Sequence, residues 1–167
     1  IVEATSFVTG SEMSYQHIFP FFRYAEVLLN YAEALAAATQ NPDFTGMKGE
    51  VEYTLSPREA LNAVRARYNM PGITETDYAA FVKRLRNERR VELAFEGHRF
   101  WDIRRWKIGA ETTKVYGLTI TPQNDGSFSY VRSVIQQRGW DDRMNYYPIA
   151  DAELFKNHNL VQNDGWK

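Results

Sequence analysis

The chain has 167 residues, about one domain's worth, and 44 % of them are hydrophobic, which is enough for a core and excludes a disordered chain. Its 20 basic and 21 acidic residues nearly cancel, so no long-range field gathers nucleic acid or an anionic membrane surface. Cysteine is absent, which excludes disulfides, thiolate metal ligands, thiol nucleophiles and a lipid-bearing cysteine within these residues, and no run approaches the roughly 18 apolar residues of a membrane-spanning helix.

Residues 1–19 mix β-branched residues with Gly10 and Ser11 without a sustained period, and read as extended or irregular. Pro20 suits a helix start, and Phe22, Ala25, Val27, Leu28, Leu29, Tyr31, Ala32 and Leu35 mark a helix over about 20–40. Ala25, Ala32, Ala34 and Ala36 let a neighbouring helix approach closely, as in stacked helical repeats. Residues 41–53 are rich in Pro, Gly and Asp and read as a loop, longer than a compact domain normally spends on a connection alone. Ser56-Pro57-Arg58-Glu59 is a capping box with proline at the first helical position; it opens a helix over 57–69 that Met70-Pro71-Gly72 ends.

A third helix, over 76–107, is expected to organise the rest. Thr74, with Asp77 three residues on, or Thr76 caps its start. Tyr78, Phe81, Val82 and Leu85 form one apolar stripe, which Phe100, Ile103 and Trp106 continue beyond Gly97, a position that marks a bend or a close approach. Between those ends the stripe is ionic: Glu88, Arg89, Glu92, Glu96 and Arg99 stand where Leu or Ile would suffice, while Val91, Ala94 and Phe95 point elsewhere and give the helix a second apolar side. A charge stranded in a protein interior costs roughly 3–5 kcal/mol, so these five are read as a structural ion network, with Arg84, Arg65, Arg67, Arg104 and Arg105 within reach. Downstream, residues 115–120 and 128–134 are β-branched and aromatic with Asn124-Asp125-Gly126 between them, a short hairpin that must pack on the helices because two strands are not stable alone. A short helix near 152–156 and an irregular, amide-rich tail complete a chain without internal repeat or dividing linker.

Stacked carboxylates beside His98 invite comparison with carboxylate metal sites, but those require Glu-x-x-His, and the residue three after Glu96 is Arg99, a cation that repels metal. His17, His98 and His158 are scattered, no Ser or Thr sits in a nucleophile elbow, and neither Gly46-x-x-Gly49 nor Gly97 precedes the strand-to-helix pattern of a phosphate site. No catalytic residue, metal or cofactor follows. The aromatics in loops and tails, Tyr15, Phe44, Tyr53, Trp140, Tyr146 and Trp166, are a different matter, because exposed flat rings pack on the C–H faces of a pyranose. Trp140, beside Asp141, Asp142 and Arg143, is the preferred ligand candidate, then Phe44 and Tyr53; the competing role for each is to pin its loop to the core.

Four groups of residues, in order from about residue 20 to the C-terminus, resemble the SusD/RagB family of outer-membrane nutrient-binding lipoproteins. They are Arg23-Tyr24-Ala25-Glu26 with Leu29-Asn30-Tyr31-Ala32-Glu33-Ala34; the N-x-x-R-x-R helix of Asn62, Arg65 and Arg67; Glu88-Arg89, Glu92-Leu93, Phe95-Glu96-Gly97, Arg99 and Asp102-Ile103-Arg104-Arg105-Trp106; and Tyr147-Pro148-Ile149, Glu153, Asn159-Leu160 and Gln162-Asn163 with Gly165-Trp166. Ala150 and Trp166 depart from the usual Pro and Tyr of the last group, substitutions tolerable on shape.

The resemblance implies a mainly α, SusD-like fold with TPR-like helical repeats, a small β-hairpin and an irregular C-terminal tail, with residues 1–167 forming a single C-terminal region. The N-terminal helical-repeat half, the signal peptide and the lipid-anchor cysteine are then expected outside this chain. It implies a non-catalytic, surface-exposed lipoprotein of the outer membrane that captures glycans, less often peptides, and works with a SusC-like TonB-dependent transporter, touching the membrane only through that anchor. An interaction scaffold whose helical repeats bind a protein is the alternative. A hydrolase would need two carboxylates facing one open cleft about 5 to 9.5 Å apart.

Overall fold

The computed structural model describes residues 21–166, in two units that divide between Leu85 and Arg86. The extended reading of residues 1–19, Tyr15 and Pro20 itself lie outside the described residues, and residues 21–23 are not helical, so the helix expected over about 20–40 begins at Tyr24. The fold is mostly helical, with two small antiparallel strand pairs.

In the first unit, α1 (Tyr24–Thr39) buries Ala25, Leu28, Leu29, Ala32, Leu35 and Ala36, the spacing of a single helix face, and ends on Gln40 in the left-handed conformation, φ 54°. It packs on α2 (Pro57–Ala66), which buries Ala60, Leu61 and Val64. The capping box forms as expected: Glu59 N–H donates to Ser56 Oγ at 3.2 Å and Ser56 N–H to the Glu59 carboxylate at 2.8 Å. The connection between these helices is not the structureless loop expected. Gly46–Lys48 (β1) and Val51–Tyr53 (β2) pair across a two-residue turn with Gly49 at φ 62°. Three-residue strands facing mostly water carry no apolar alternation, so the sequence has no periodic signal for them. Arg58 then ties the loop to α2, its Nε and Nη2 donating to the two oxygens of Asp43 at 2.6 and 2.7 Å.

The helix expected over 76–107 is two helices, α3 (Tyr78–Glu92) and α4 (His98–Arg105). Neither Thr74 nor Thr76 supplies the cap: Asp77 Oδ2 accepts from Ala80 N–H at 2.8 Å. Phe81 and Leu85 are fully buried as the apolar stripe requires. The other apolar side is not covered, since Val91 and Ala94 are exposed and Phe95 wholly so. Phe95 at φ 66° and Gly97 at φ 81° end the helical path. The break has a tertiary cause as well. Arg89 and Asp102, 13 residues apart in sequence, are hydrogen bonded at 2.8 Å, whereas an unbroken helix would hold them about 20 Å apart along its axis.

The second unit also holds β3 (Lys114–Pro122) and β4 (Phe128–Gln137), paired from Lys114↔Gln137 to Pro122↔Phe128, and α5 (Asp151–Lys156). Asn124-Asp125-Gly126 turns the hairpin: Asp125 Oδ1 accepts from Ser127 N–H and Oγ, with Gly126 at φ 82°. The hairpin does not bury itself on helices as expected, for its apolar side chains are about half exposed along both strands.

Candidate functional site: buried ions, tail clamp and aromatic surface

The residues that single out the four sequence groups form internal bonds. Asn62 Oδ1 accepts from Ile73 N–H at 2.8 Å and Arg65 Nε donates to Pro71 O at 2.9 Å, so two side chains of α2 satisfy the backbone that returns towards α3. In the tail, the Gln162 amide donates to Ile149 O and accepts from Ile149 N–H, both at 2.8 Å, in the manner of a strand partner. Asn163 Nδ2 donates to Tyr147 O at 2.5 Å and Trp166 Nε1 to Arg143 O at 3.0 Å. The amide-rich ending is therefore a clamp on residues 143–149. Gly165, at φ 81°, lets the chain cross Arg143, whose Cβ lies 2.6 Å from where a glycine-replacing Cβ would stand.

Among the ionic residues of the third group, Arg89 and Asp102 are the most deeply buried, at 5 % and 2 % exposure. Asp102 Oδ2 accepts from Arg89 Nε and Oδ1 from Arg105 Nε, each at 2.8 Å. One carboxylate thus receives two guanidinium N–H donors, which is what a charge this buried requires. Glu88, Glu92, Glu96 and Arg99 are half-buried. Burial and the neighbouring Arg90 lower the pKa of Arg99, while Asp102 acts in the opposite direction. Sequence reasoning made Glu88, Glu92 and Glu96 the acidic side of the network; the carboxylate that pairs with Arg89 and Arg105 is Asp102, which it had noted as motif only. Its spacing from Arg89 carries no helical signal, because the contact exists only across the break.

The ligand candidates fall in separate places. Trp140 is half-buried with its indole against Gly109, where an added Cβ would come within 1.8 Å of Trp140 Cε2, and the Arg104 guanidinium lies 5.6 Å from the ring. In the first unit, Phe44 stands edge-on to Tyr53 at 6.3 Å, and Tyr53 is also 6.3 Å from Tyr31. Tyr31 and Tyr53 line an open, mainly apolar cleft of about 660 Å³ with Ala34, Leu35, Ala38, Lys48 and Gly49. The Tyr31 hydroxyl donates to Leu55 O, and burial, helped by Tyr53 and Glu59, raises its pKa.

A larger aromatic group was not legible as such in sequence. Phe100 and Trp101 meet edge to face at 5.1 Å, and Tyr147 lies 6.0 Å from Phe100 and 6.1 Å from Trp101. Arg104 covers Phe100 at 3.5 Å and stands 5.7 Å from Tyr147, with Nη1 donating to Phe100 O at 2.9 Å. Trp101 and Tyr147 remain 58 % and 55 % exposed. Such a surface offers ring faces and a guanidinium to one ligand, the pairing that reads a pyranose face and its hydroxyls together. Among the described residues, no group of three or more acidic or histidine side chains is placed to hold a metal, and no helix is long and apolar enough to cross a membrane.

Comparison with known proteins agrees with this architecture. The SusD family model matches residues 4–166. A SusD-like protein, P2, of Formosa agariphila is 33 % identical over 146 residues, covering 85 % of this chain and 24 % of its own length. The crystal structure of a SusD-like protein from Bacteroides fragilis aligns with a TM-score of 0.64 at 35 % identity, over 86 % of this chain and 25 % of that one. A SusD superfamily protein from Parabacteroides distasonis aligns with a TM-score of 0.52 at 25 % identity, over 87 % and 27 %. The chain thus spans about a quarter of the length of these relatives. With matched family residues running through every helix and the C-terminal clamp, this chain belongs to the SusD family.

Proposed function

We propose that the chain is the C-terminal region of a non-catalytic surface receptor that captures oligosaccharide and delivers it to a SusC-like TonB-dependent transporter, anchored to the outer membrane by a lipid outside these residues. The observation that carries this reading is the family match over residues 4–166. The chemistry of the chain supports it. Asp102, the most buried charged group among the described residues, is neutralised by two guanidinium donors, and the amides of the tail are spent on backbone, so the signature serves architecture. Binding then falls to surface rings: Trp101 and Tyr147 with Arg104, Trp140 at the edge of that group, and separately Phe44 and Tyr53. Glu88, Arg89, Glu92, Glu96 and Arg99 act as internal braces.

Calorimetric titration of the full-length protein against a panel of oligosaccharides tests this reading. Trp101→Ala and Tyr147→Ala are expected to weaken binding at least about tenfold with an unchanged melting temperature, the usual loss for an exposed aromatic anchor. Affinities equal to wild type in both variants would remove this surface as the site. One observation favours the scaffold reading instead: the cleft along α1 is apolar and open, which suits a peptide segment. Tyr31→Ala and Ala38→Asp would then abolish capture of peptides and leave oligosaccharide titrations untouched.

A further inference from the structure

The hairpin of β3 and β4 is two-faced. Residues directly paired across the strands share a face, so Tyr116, Leu118 and Ile120 stand with Phe128, Tyr130 and Val134 on one side, interrupted only by Arg132. The other side carries Thr119, Thr121, Ser129 and Ser133, with one large apolar side chain, Val131, opposite Thr119 and another, Ile135, folded over Gly117, where an added Cβ would lie 2.5 Å from Ile135 Cγ2. An antiparallel pair with one largely hydroxyl face and one apolar face is built to solvate the first and cover the second. Both faces are open, and on the apolar one six large side chains are each between 47 % and 61 % exposed. Six such side chains on a two-stranded ribbon make a contiguous patch of the kind that marks an interface, on an element too small to be stable alone.

We propose that this face is the seat of the remainder of the polypeptide, a segment lying in the three quarters of a SusD-length chain that has no counterpart here, and that it joins that segment to the C-terminal region. The proposal rests on the reading of this chain as one region of a longer receptor. Two observations favour that occupant over a second copy or a ligand. The relatives supply the length, since this chain covers only 24 % and 25 % of them. The chemistry of the face is that of a core: aliphatic and aromatic groups dominate, and the single cation lies flat on a ring, the Arg132 guanidinium 3.9 Å from the Tyr116 centroid. Once covered, that guanidinium needs an acceptor, so the occupant is an apolar surface that brings a carboxylate or backbone carbonyl to Arg132.

Hydroxyl-radical footprinting of the full-length protein, read residue by residue, tests this. Labelling of Tyr116, Phe128 and Tyr130 is expected to be lost relative to urea-denatured protein, while Val131 on the other face stays labelled. In the same protein Leu118→Asp is expected to lower Tm and Thr119→Asp to leave it unchanged; if Leu118→Asp yields no folded protein, the wild-type footprint still decides. Rings labelled as fully as in urea overturn the proposal. So does protection that appears only at concentrations where the protein dimerises, which makes a second copy the occupant, or only after an oligosaccharide is added. An intact protein no longer than this chain overturns both the docking and the reading beneath it, whereas labelled rings in a protein of the relatives' length overturn the docking alone.

Discussion

Asp102 shows how one side chain determines the shape of a whole segment. Its carboxylate closes the 13-residue interval to Arg89 and takes a second donor from Arg105, so α4 has to fold back on α3. Replacing it with alanine leaves Arg89, 5 % exposed, without that acceptor, and a buried charge left so costs about 3–5 kcal/mol. Asp102→Ala should lower the urea midpoint accordingly; a change below about 0.5 kcal/mol would show the triad to be incidental. Two glycines separate backbone freedom from packing. Gly97→Ala meets nothing within 4 Å but must hold φ 81°, a cost of about 1–2 kcal/mol. Gly109→Ala has no such backbone demand and instead drives a methyl group into the Trp140 indole, so it should shift tryptophan emission where Gly97→Ala does not. The residues legible in sequence were those with local partners. Glu59 and Ser56 declare their capping box at three residues' spacing, whereas Tyr147 meets Phe100 and Trp101 only through tertiary folding.

At the scale of elements, α2 and the β3–β4 hairpin were readable because their sequences carry their own cap or turn chemistry, and α1 from its apolar face, though its start at Tyr24 has no cap signal. The third helix was not, since its pattern runs through Gly97 while a side-chain pair sixteen residues' worth of segment wide, from Arg89 to Arg105, pulls it double. The β1–β2 pair escaped for the opposite reason, having too few buried side chains to leave a period. The cap of α2 has a pH signature. Its Glu59 carboxyl is held below the ordinary value of 4.5 chiefly by the Ser56 backbone N–H, then by the Ser56 hydroxyl. A depressed carboxyl stabilises the fold when ionised, so its contribution is complete above the unfolded value and is lost as pH falls through the folded one. Glu59→Gln should therefore be less stable than wild type near neutrality and converge with it on acidification; a constant gap across that range would mean the cap acts without its charge.

For the molecule as a whole, the central claim is a division of labour. Motif residues such as Asn62, Arg89, Asp102 and Gln162 hold connection, helices and tail together, and in the proposed function ligand contact falls to the exposed rings of Trp101 and Tyr147, the second of which stands within the C-terminal motif. That is why the family was legible in sequence and the proposed binding surface was not: Asn62, Asp102 and Gln162 answer to backbone and charges inside the chain, while Trp101 and Tyr147 are brought together only by folding and stay exposed. The most direct test is to saturate the full-length protein with the oligosaccharide that gives the strongest calorimetric signal and to recover the sugar afterwards for mass analysis. The account predicts saturable heat and an oligosaccharide recovered with its length unchanged; shortened products, or no saturable heat from any oligosaccharide tried, would contradict it.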